Sequence, residues 1–323
     1  MMPTQNSMRI LAIRFSGMGD IVMLLQTFEK LKQKYENAHI TLLCDSANSD
    51  IAKNSGGLID EVFCVNRSVF RKKKFLGMLK EIFHLFTLRK NQYDFVIDFQ
   101  NFGETAFITH ICKAKEKRGA PKKKNKEYAY TTIVPRDESG HRSQFFSRIA
   151  GVDDSLDFSK MVLSETALEY RKNLFSKLDA TKKTIGLNIS STQEIRRWSE
   201  KNFAQIAEYL KKDFNILIFA GSAEKQYLDA FSSDVIRVSD IGVDELCGAI
   251  GVCDYFISND TGPVHVAAGL GIPTLTLFST GTDENVGALS SKKASLSNFD
   301  NINVLSVQDA IREFELLLPK GML

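Results

Sequence analysis

The chain has 323 residues, 43% of them hydrophobic and 25% charged, with a formal net charge of +3. This is globular composition, long enough for two cores, with no apolar run of about 18 residues to cross a membrane and no long apolar segment of a secretory signal before the first strand. The five cysteines are odd in number and none has C-x-x-C spacing, so they read as reduced, buried thiols of a cytoplasmic protein rather than as a disulfide framework. Charge is uneven: residues 1–160 carry 26 Lys+Arg and 18 Asp+Glu, a balance of +8, and residues 161–323 carry 16 and 21, a balance of −5. Two domains with different partners fit that asymmetry, the first suited to an anionic one.

Apolar runs and helical spacing alternate from the start. Residues 8–14 predict a strand, 20–35 a helix with Ile21, Leu24, Leu25, Phe28 and Leu31 on one face, 40–44 and 61–65 strands, 75–90 a helix and 95–99 a strand. In the helix at 75–90, Phe75, Leu79, Ile82, Phe83 and Phe86 share an apolar face beside the basic run 71–74. Packing of that face on a sheet is expected, with peripheral membrane contact the alternative. Residues 113–126 are lysine-rich around Gly119-Ala120-Pro121 and predict a solvated loop; 164–178 predict a helix bridging two domains. The alternation then restarts, with strands at 184–188, 215–220, 235–238, 255–258 and 273–278 and helices at 199–212, 223–232, 243–252, 263–270 and 307–318. The pattern predicts an α/β chain with two parallel, doubly wound sheets.

Two glycine turns stand out. Arg14-Phe15-Ser16-Gly17-Met18-Gly19-Asp20 follows the first strand, and Asp260-Thr261-Gly262-Pro263-Val264-His265 follows the strand at 255–258. Both join a strand to a helix, where free N–H groups and the positive dipole end favour anions. Pro263 suits the first helical turn. A diphosphate there would meet backbone N–H groups, the Thr261 hydroxyl and His265, while the bland reading makes Asp260 or Thr261 a helix cap. Asp-Thr-Gly is also an aspartic-protease signature, but it occurs once and opens a helix. The first turn is a partial dinucleotide fingerprint with Val22 at the third glycine position. Asp20 would repel a pyrophosphate there, so it reads as a cap or as a general base facing a substrate hydroxyl.

Ser190-Ser191-Thr192-Gln193-Glu194-Ile195-Arg196-Arg197-Trp198 places hydroxyls and arginines after another strand, a pattern that can clamp phosphate; Trp198 reads as a hydrophobic staple. Glu224 follows the Ala220-Gly221-Ser222 turn and suits either a ribose or the surface. A nicotinamide-dependent oxidoreductase and a non-catalytic nucleotide-sugar-binding protein remain as alternatives. The lysine runs lack interleaved aromatics apart from Tyr128 and Tyr130, which argues against nucleic acid.

Together these segments resemble bacterial glycosyltransferase family 9, the ADP-heptose:lipopolysaccharide heptosyltransferases. The first glycine turn, Phe95-Val96-Ile97-Asp98-Phe99-Gln100, His141 with Arg148-Ile149-Ala150-Gly151, Arg196-Arg197-Trp198 and the segment from Asp260 to Ala268 carry the likeness, in order and spacing. It implies a GT-B fold, two Rossmann-like doubly wound domains facing a central cleft: residues 1–163 for the acceptor, 164–304 for the nucleotide sugar, and a C-terminal helix in 305–323 able to pack back towards the first domain. It implies Asp20 as catalytic base, Arg196, Glu224, Asp260, Thr261, Gly262 and His265 as donor-binding residues, and Ser16, Gly17, Gln100 and Arg118 on the acceptor side. The implied reaction is inverting, metal-independent and cofactor-free transfer of heptose from ADP-heptose to an anionic glycolipid of the lipid A–Kdo type, by a cytoplasmic protein with peripheral contact to the inner membrane. Two departures stand out. An arginine, Arg196, replaces the family's usual lysine, and Phe278-Ser279-Thr280-Gly281-Thr282 replaces Phe-Gly-Pro-Thr.

Overall fold

The computed structural model describes residues 7–319 except Ser16, Lys73, Glu138, Ser159, Thr192 and the side chain of Arg71. Ser16 and Thr192, singled out above, therefore lie outside the described residues. The chain divides into two compact units, Met1–Ser159 and Lys160–Leu323.

In the first unit β1 (Arg9–Ile13), β2 (His39–Asp45), β3 (Glu61–Val65), β4 (Gln92–Asp98), β5 (Lys113–Gly119) and β6 (Thr132–Ile133) form a parallel sheet in the order β3-β2-β1-β4-β5-β6. Its helices are α1 (Met18–Lys34), α2 (Ser68–Arg71), α3 (Phe75–Phe86), α4 (Gly103–Ile111) and α5 (Arg142–Ala150). Ile10, Leu11, Ala12 and Ile13 of the central strand are all fully buried, as a strand covered on both faces requires.

In the second unit β7 (Lys183–Asn188), β8 (Phe214–Phe219), β9 (Ile236–Val238), β10 (Tyr255–Asn259), β11 (Thr274–Phe278) and β12 (Lys293–Ser297) repeat the same winding, in the order β12-β11-β10-β7-β8-β9. Its helices are α6 (Glu165–Phe175), α7 (Glu200–Leu210), α8 (Val243–Ile250), α9 (Gly262–Gly269), α10 (Asp283–Val286) and α11 (Val307–Glu315). In each sheet the winding reverses between the unit's first and fourth strands, β1 and β4 in one and β7 and β10 in the other. The crevice beyond the carboxyl ends of such strands is where open α/β sheets bind ligands.

Several sequence expectations are corrected. The lysine-rich segment is not one loop: residues 113–119 are strand β5, hydrogen-bonded to β4 and β6. Its backbone pairing overrides a composition that places charged side chains along a largely solvated strand. The helix expected at 223–232 is a 3-10 turn, Lys225–Ala230. The helix expected to bridge the domains, α6, belongs to the second unit. There Ala167 of α6 packs against Gly248 of α8, too closely for a side chain at position 248, and the Ser164 hydroxyl reaches Asp244 at 2.7 Å. The C-terminal helix, α11, lays Val307, Ala310 and Phe314 into the second unit's core beside Phe214 and Tyr255. Its apolar face is used in that core.

The face of α3 is the largest difference. None of its residues is buried, and Phe75, Leu76 and Phe83 are 69%, 81% and 71% exposed. The helix turns its other side inward: His84 stacks on Phe63 of β3 with ring centroids 4.2 Å apart, Leu85 joins the core margin, and Glu81 accepts from the Asn66 N–H at 3.1 Å.

Candidate active site

In the first unit the turn after β1 places Asp20 in the first turn of α1. Gly17, the residue before the helix, has φ 90°, and a side chain there would run into the Asp20 carboxyl. Glycine is thus required both for the backbone and for room. The Asp20 carboxylate is 12% exposed and pairs with two guanidinium groups: Arg14, from the end of β1, and Arg142 of α5 at 2.9 Å. Arg14 is itself fixed by donating to the Phe99 carbonyl at 2.8 Å and by lying over the Phe146 ring. Burial pushes the Asp20 carboxyl up, but the charges and hydrogen bonds of Arg14 and Arg142 outweigh it and leave the group below its ordinary value. Asp20 is therefore a sequestered carboxylate, ionised at neutral pH.

Asp98, at the end of β4, sits across the switch point from this turn. It is fully buried; one carboxyl oxygen accepts from the Gln100 and Asn101 N–H groups at 2.9 and 2.8 Å, the other from the Tyr130 hydroxyl at 2.7 Å. Burial nevertheless raises its pKa. Gln100 is 7% exposed and held in this bend. Asp98 thus fixes the loop beyond β4 in which Gln100 stands.

Arg118 is not part of this grouping. On β5 it donates to Glu116 at 2.8 Å, lies over the Phe95 ring and reaches the start of the Gly151 turn after α5. Its Nε is engaged there on the sheet face. His141 caps α5: its Nδ1 accepts from the Ser143 N–H at 3.2 Å, and its own N–H donates to Gln144 at 2.9 Å. That cap aims the next residue, Arg142, at Asp20. Sequence reading missed Arg142, because only folding brings α5 beside α1; its position directly after His141 was the available signal.

In the second unit the turn after β10 carries Asp260, Thr261 and Gly262. Thr261 occupies the cap position of α9, yet its hydroxyl makes no capping bond. It accepts from the Asn188 amide at 2.9 Å and lies 3.4 Å from the Asn259 carbonyl. By contrast, α6, α7 and α11 begin on serines, Ser164, Ser199 and Ser306, whose hydroxyls accept a backbone N–H. The bland capping role is therefore set aside for the Thr261 hydroxyl; in the first turn of α9 Pro263 has no N–H and the Val264 N–H donates to the Thr261 carbonyl at 3.2 Å. His265 is buried in α9, 6% exposed.

Trp198 staples α7, packing edge-on to Phe203 at 5.1 Å, and is fully buried. Its backbone N–H donates to the Asn259 side chain at 3.0 Å, which ties the arginine loop to the end of β10. The two arginines before it diverge. Arg196 approaches Asp260 at 3.7 Å, an ion pair too long for a hydrogen bond, whereas Arg197 lies over the Tyr227 ring at 4.4 Å. Only Arg196 points its charge at the α9 turn.

Glu224 is 5% exposed, with its carboxylate against the bare Cα of Gly221, where a Cβ would come within 2.7 Å. Among the described residues no donor reaches that carboxylate. The hydroxyls of Ser279 and Thr280, just beyond β11, are likewise buried without a partner among the described residues. Buried polar groups are ordinarily satisfied, so these two hydroxyls beyond the carboxyl end of β11 mark a place prepared for a polar ligand, while Glu224 stands beyond the carboxyl end of β8.

The cysteines have no such setting. Four are buried and Cys64 is partly so; burial pushes the Cys44 and Cys112 thiols up to about 12, which disqualifies them as nucleophiles. No helix among the described residues is long and apolar enough to cross a membrane.

Comparison with known proteins agrees with this fold. Residues 84–311 match the model of glycosyltransferase family 9 (heptosyltransferase). A lipopolysaccharide heptosyltransferase 1 from Campylobacter coli is 27% identical over 296 residues, covering 84% of each chain. Among solved structures, a family 9 glycosyltransferase from Veillonella parvula superposes with a TM-score of 0.83 at 20% identity, covering 96% of this chain and 97% of that one. The E. coli ADP-heptose LPS heptosyltransferase II does so with 0.80 at 18% identity, covering 96% and 98%. The two doubly wound units are thus those of the GT-B fold, and a nicotinamide oxidoreductase is displaced as a reading. The chain belongs to glycosyltransferase family 9, the heptosyltransferase family, and is a glycosyltransferase.

Proposed function

We propose that the chain transfers heptose from ADP-heptose to a hydroxyl of the lipopolysaccharide inner core, with inversion and without a metal. The single observation that carries this reading is the Asp20 carboxylate, sequestered at a glycine turn and kept ionised by Arg14 and Arg142. Asp20 takes the acceptor proton as that oxygen attacks the anomeric carbon and the bond to the diphosphate breaks. A base with a lowered pKa accepts the proton late, which suits a carbon that has already gained oxocarbenium character. Arg142, 45% exposed, keeps donors for an anionic group of the acceptor as well.

On the donor side the helix end at the start of α9, Thr261 and Arg196 meet the charge that develops on the departing diphosphate, a stabilisation commonly worth a few kcal/mol per contact. Gly262 lets the phosphate approach the helix end, His265 backs it from within α9, and Asp260 orients Arg196. Glu224 accepts from the ribose hydroxyls, which answers its lack of protein donors. The related proteins named above, one of them an ADP-heptose enzyme, support ADP-heptose as donor.

The test is Asp20→Asn, assayed with ADP-heptose and a deacylated lipid A–Kdo acceptor. We expect kcat to fall by about 10²–10⁴-fold, the usual contribution of a general base, with donor affinity by calorimetry unchanged. Near-normal kcat would remove Asp20 from the role. NMR of the product's anomeric configuration tests inversion separately.

A further inference from the structure

Beside the first glycine turn lies an apolar cavity of about 760 Å³, within the size range of small-ligand pockets. Phe15 of the turn forms its floor, Phe70, Ile82 and Leu85 one wall, and Phe107 and Ile111 of α4 the other. One polar feature stands at its rim: Arg67, which lies over the Phe15 ring and pairs with Glu104 at 2.6 Å. The cavity opens beside the outward apolar face of α3, where Phe75, Leu76 and Phe83 are more than two-thirds exposed. Scattered exposed apolar residues need no explanation, but a helix with no buried residue beside an apolar cavity does.

The surrounding charge selects the occupant. Lys72 and Lys74 before α3, Lys80 within it, and Arg89 and Lys90 after it are all exposed. The acidic groups nearby are already engaged, Glu81 by the Asn66 N–H and Glu104 by Arg67. An apolar slot framed by cations matches an acyl chain beneath an anionic headgroup, and fits a second copy of this basic surface poorly.

We infer that the cavity between α3 and α4 holds an acyl chain of the glycolipid acceptor. The inference rests on the proposed acceptor class but adds a site that sugar transfer itself does not require. Because Phe15 lies five residues before Asp20, a chain seated on it anchors the acceptor beside the base. The same contact lets the enzyme distinguish acylated from deacylated acceptors.

The experiment has two arms. In the first, a long-chain fluorescent fatty acid is titrated into the wild type and into the double variant Ile82→Ser/Phe107→Ser. Both positions are more than a third exposed, so the fold is kept, which circular dichroism and the melting midpoint check. We expect saturable binding of one fatty acid per chain, weakened about tenfold or more in the variant. In the second arm, the KM for acylated acceptor relative to deacylated acceptor rises about tenfold in the variant, the factor given by about 1.4 kcal/mol of lost apolar contact. Absence of saturable binding in the wild type, or binding and a KM ratio indifferent to the variant, overturns the inference. So does sedimentation showing a dimer that the variant abolishes, which would assign the surface to a second copy. Failure of the acceptor reading looks different: fatty acid still binds, but no glycolipid of this class is glycosylated.

Discussion

The two units share one winding yet arm their switch points in opposite ways. At the β1–β4 crevice the first unit concentrates full charges: one carboxylate between two guanidinium groups, with Asp98 buried in neutral donors across from it. At the β7–β10 crevice the second unit deploys hydroxyls and amides. Asn188 donates to Ser258 and Thr261, Asn259 accepts from Trp198, and the ion pair Arg196–Asp260 is 3.7 Å long. The lesson is a division of labour. On the proposed reading, a group that must gain and lose a proton is locked by charge, because its pKa has to be defended against burial. A group that receives a charged leaving group is, on the same reading, instead set among neutral hydroxyls and amides that hold one another in place.

The largest effect that would break this contrast concerns the second unit's dependence on its core. Trp198→Ala removes a fully buried ring and loosens the loop joined to Asn259. Loss of about 3–5 kcal/mol of stability is expected, read as a lower urea midpoint. A stable variant with intact donor binding would show that the α9 turn does not need that anchor.

Next in size is the charge lock of the first unit. Arg142→Ala takes away one of the two charges that hold the Asp20 carboxyl down, while burial remains. The pKa must rise, so the acid limb of kcat/KM moves to higher pH, with about a tenfold loss below the new limb. The sign for stability follows from the same shift. A lowered carboxyl pKa stabilises the fold above its ordinary value, and that contribution fades as pH falls through the lowered one. The variant therefore resists acid less well. An unmoved acid limb would assign that limb to another group.

Thr261→Val and Glu224→Gln sharpen the donor half. Each should weaken ADP binding about tenfold by calorimetry, one hydrogen bond to a charged or ribose group being worth about 1.5 kcal/mol or more. Unchanged affinity would move the nucleotide elsewhere.

What could be read without coordinates follows the same contrast. The central strands were legible because a parallel strand buried on both faces is a continuous apolar run, as at Ile10–Ile13. The turn at Asp20 and the stapling role of Trp198 were legible from local spacing. Strand β5 was not, although Lys113, Lys115 and Lys117 recur at the two-residue period of a strand, because only Ala114 among residues 113–118 is apolar and no apolar face separates the strand from a solvated charge run. Nor was Arg142, whose role depends on α5 lying against α1, or the outward face of α3, where apolar spacing gave the helix but not its direction. Glu224 shows the other limit: its residue type was visible, but its lack of protein donors was not.

The smallest effect tests the contrast most directly, because stability and function should move in opposite directions. Ser279 and Thr280 bury hydroxyls that no described protein group satisfies. An unmet hydroxyl costs about 1–3 kcal/mol, and replacing it by an apolar group of similar shape is neutral or stabilising. Ser279→Ala and Thr280→Val should therefore melt at the wild-type temperature or slightly above it. If the hydroxyls serve the donor sugar, the same substitutions raise the donor KM about three- to tenfold and narrow the preference for ADP-heptose over ADP-hexoses. Lower melting temperatures with unchanged donor KM would make the two hydroxyls structural, and would leave this loop, where the chain departs from its family, without a part in choosing the sugar.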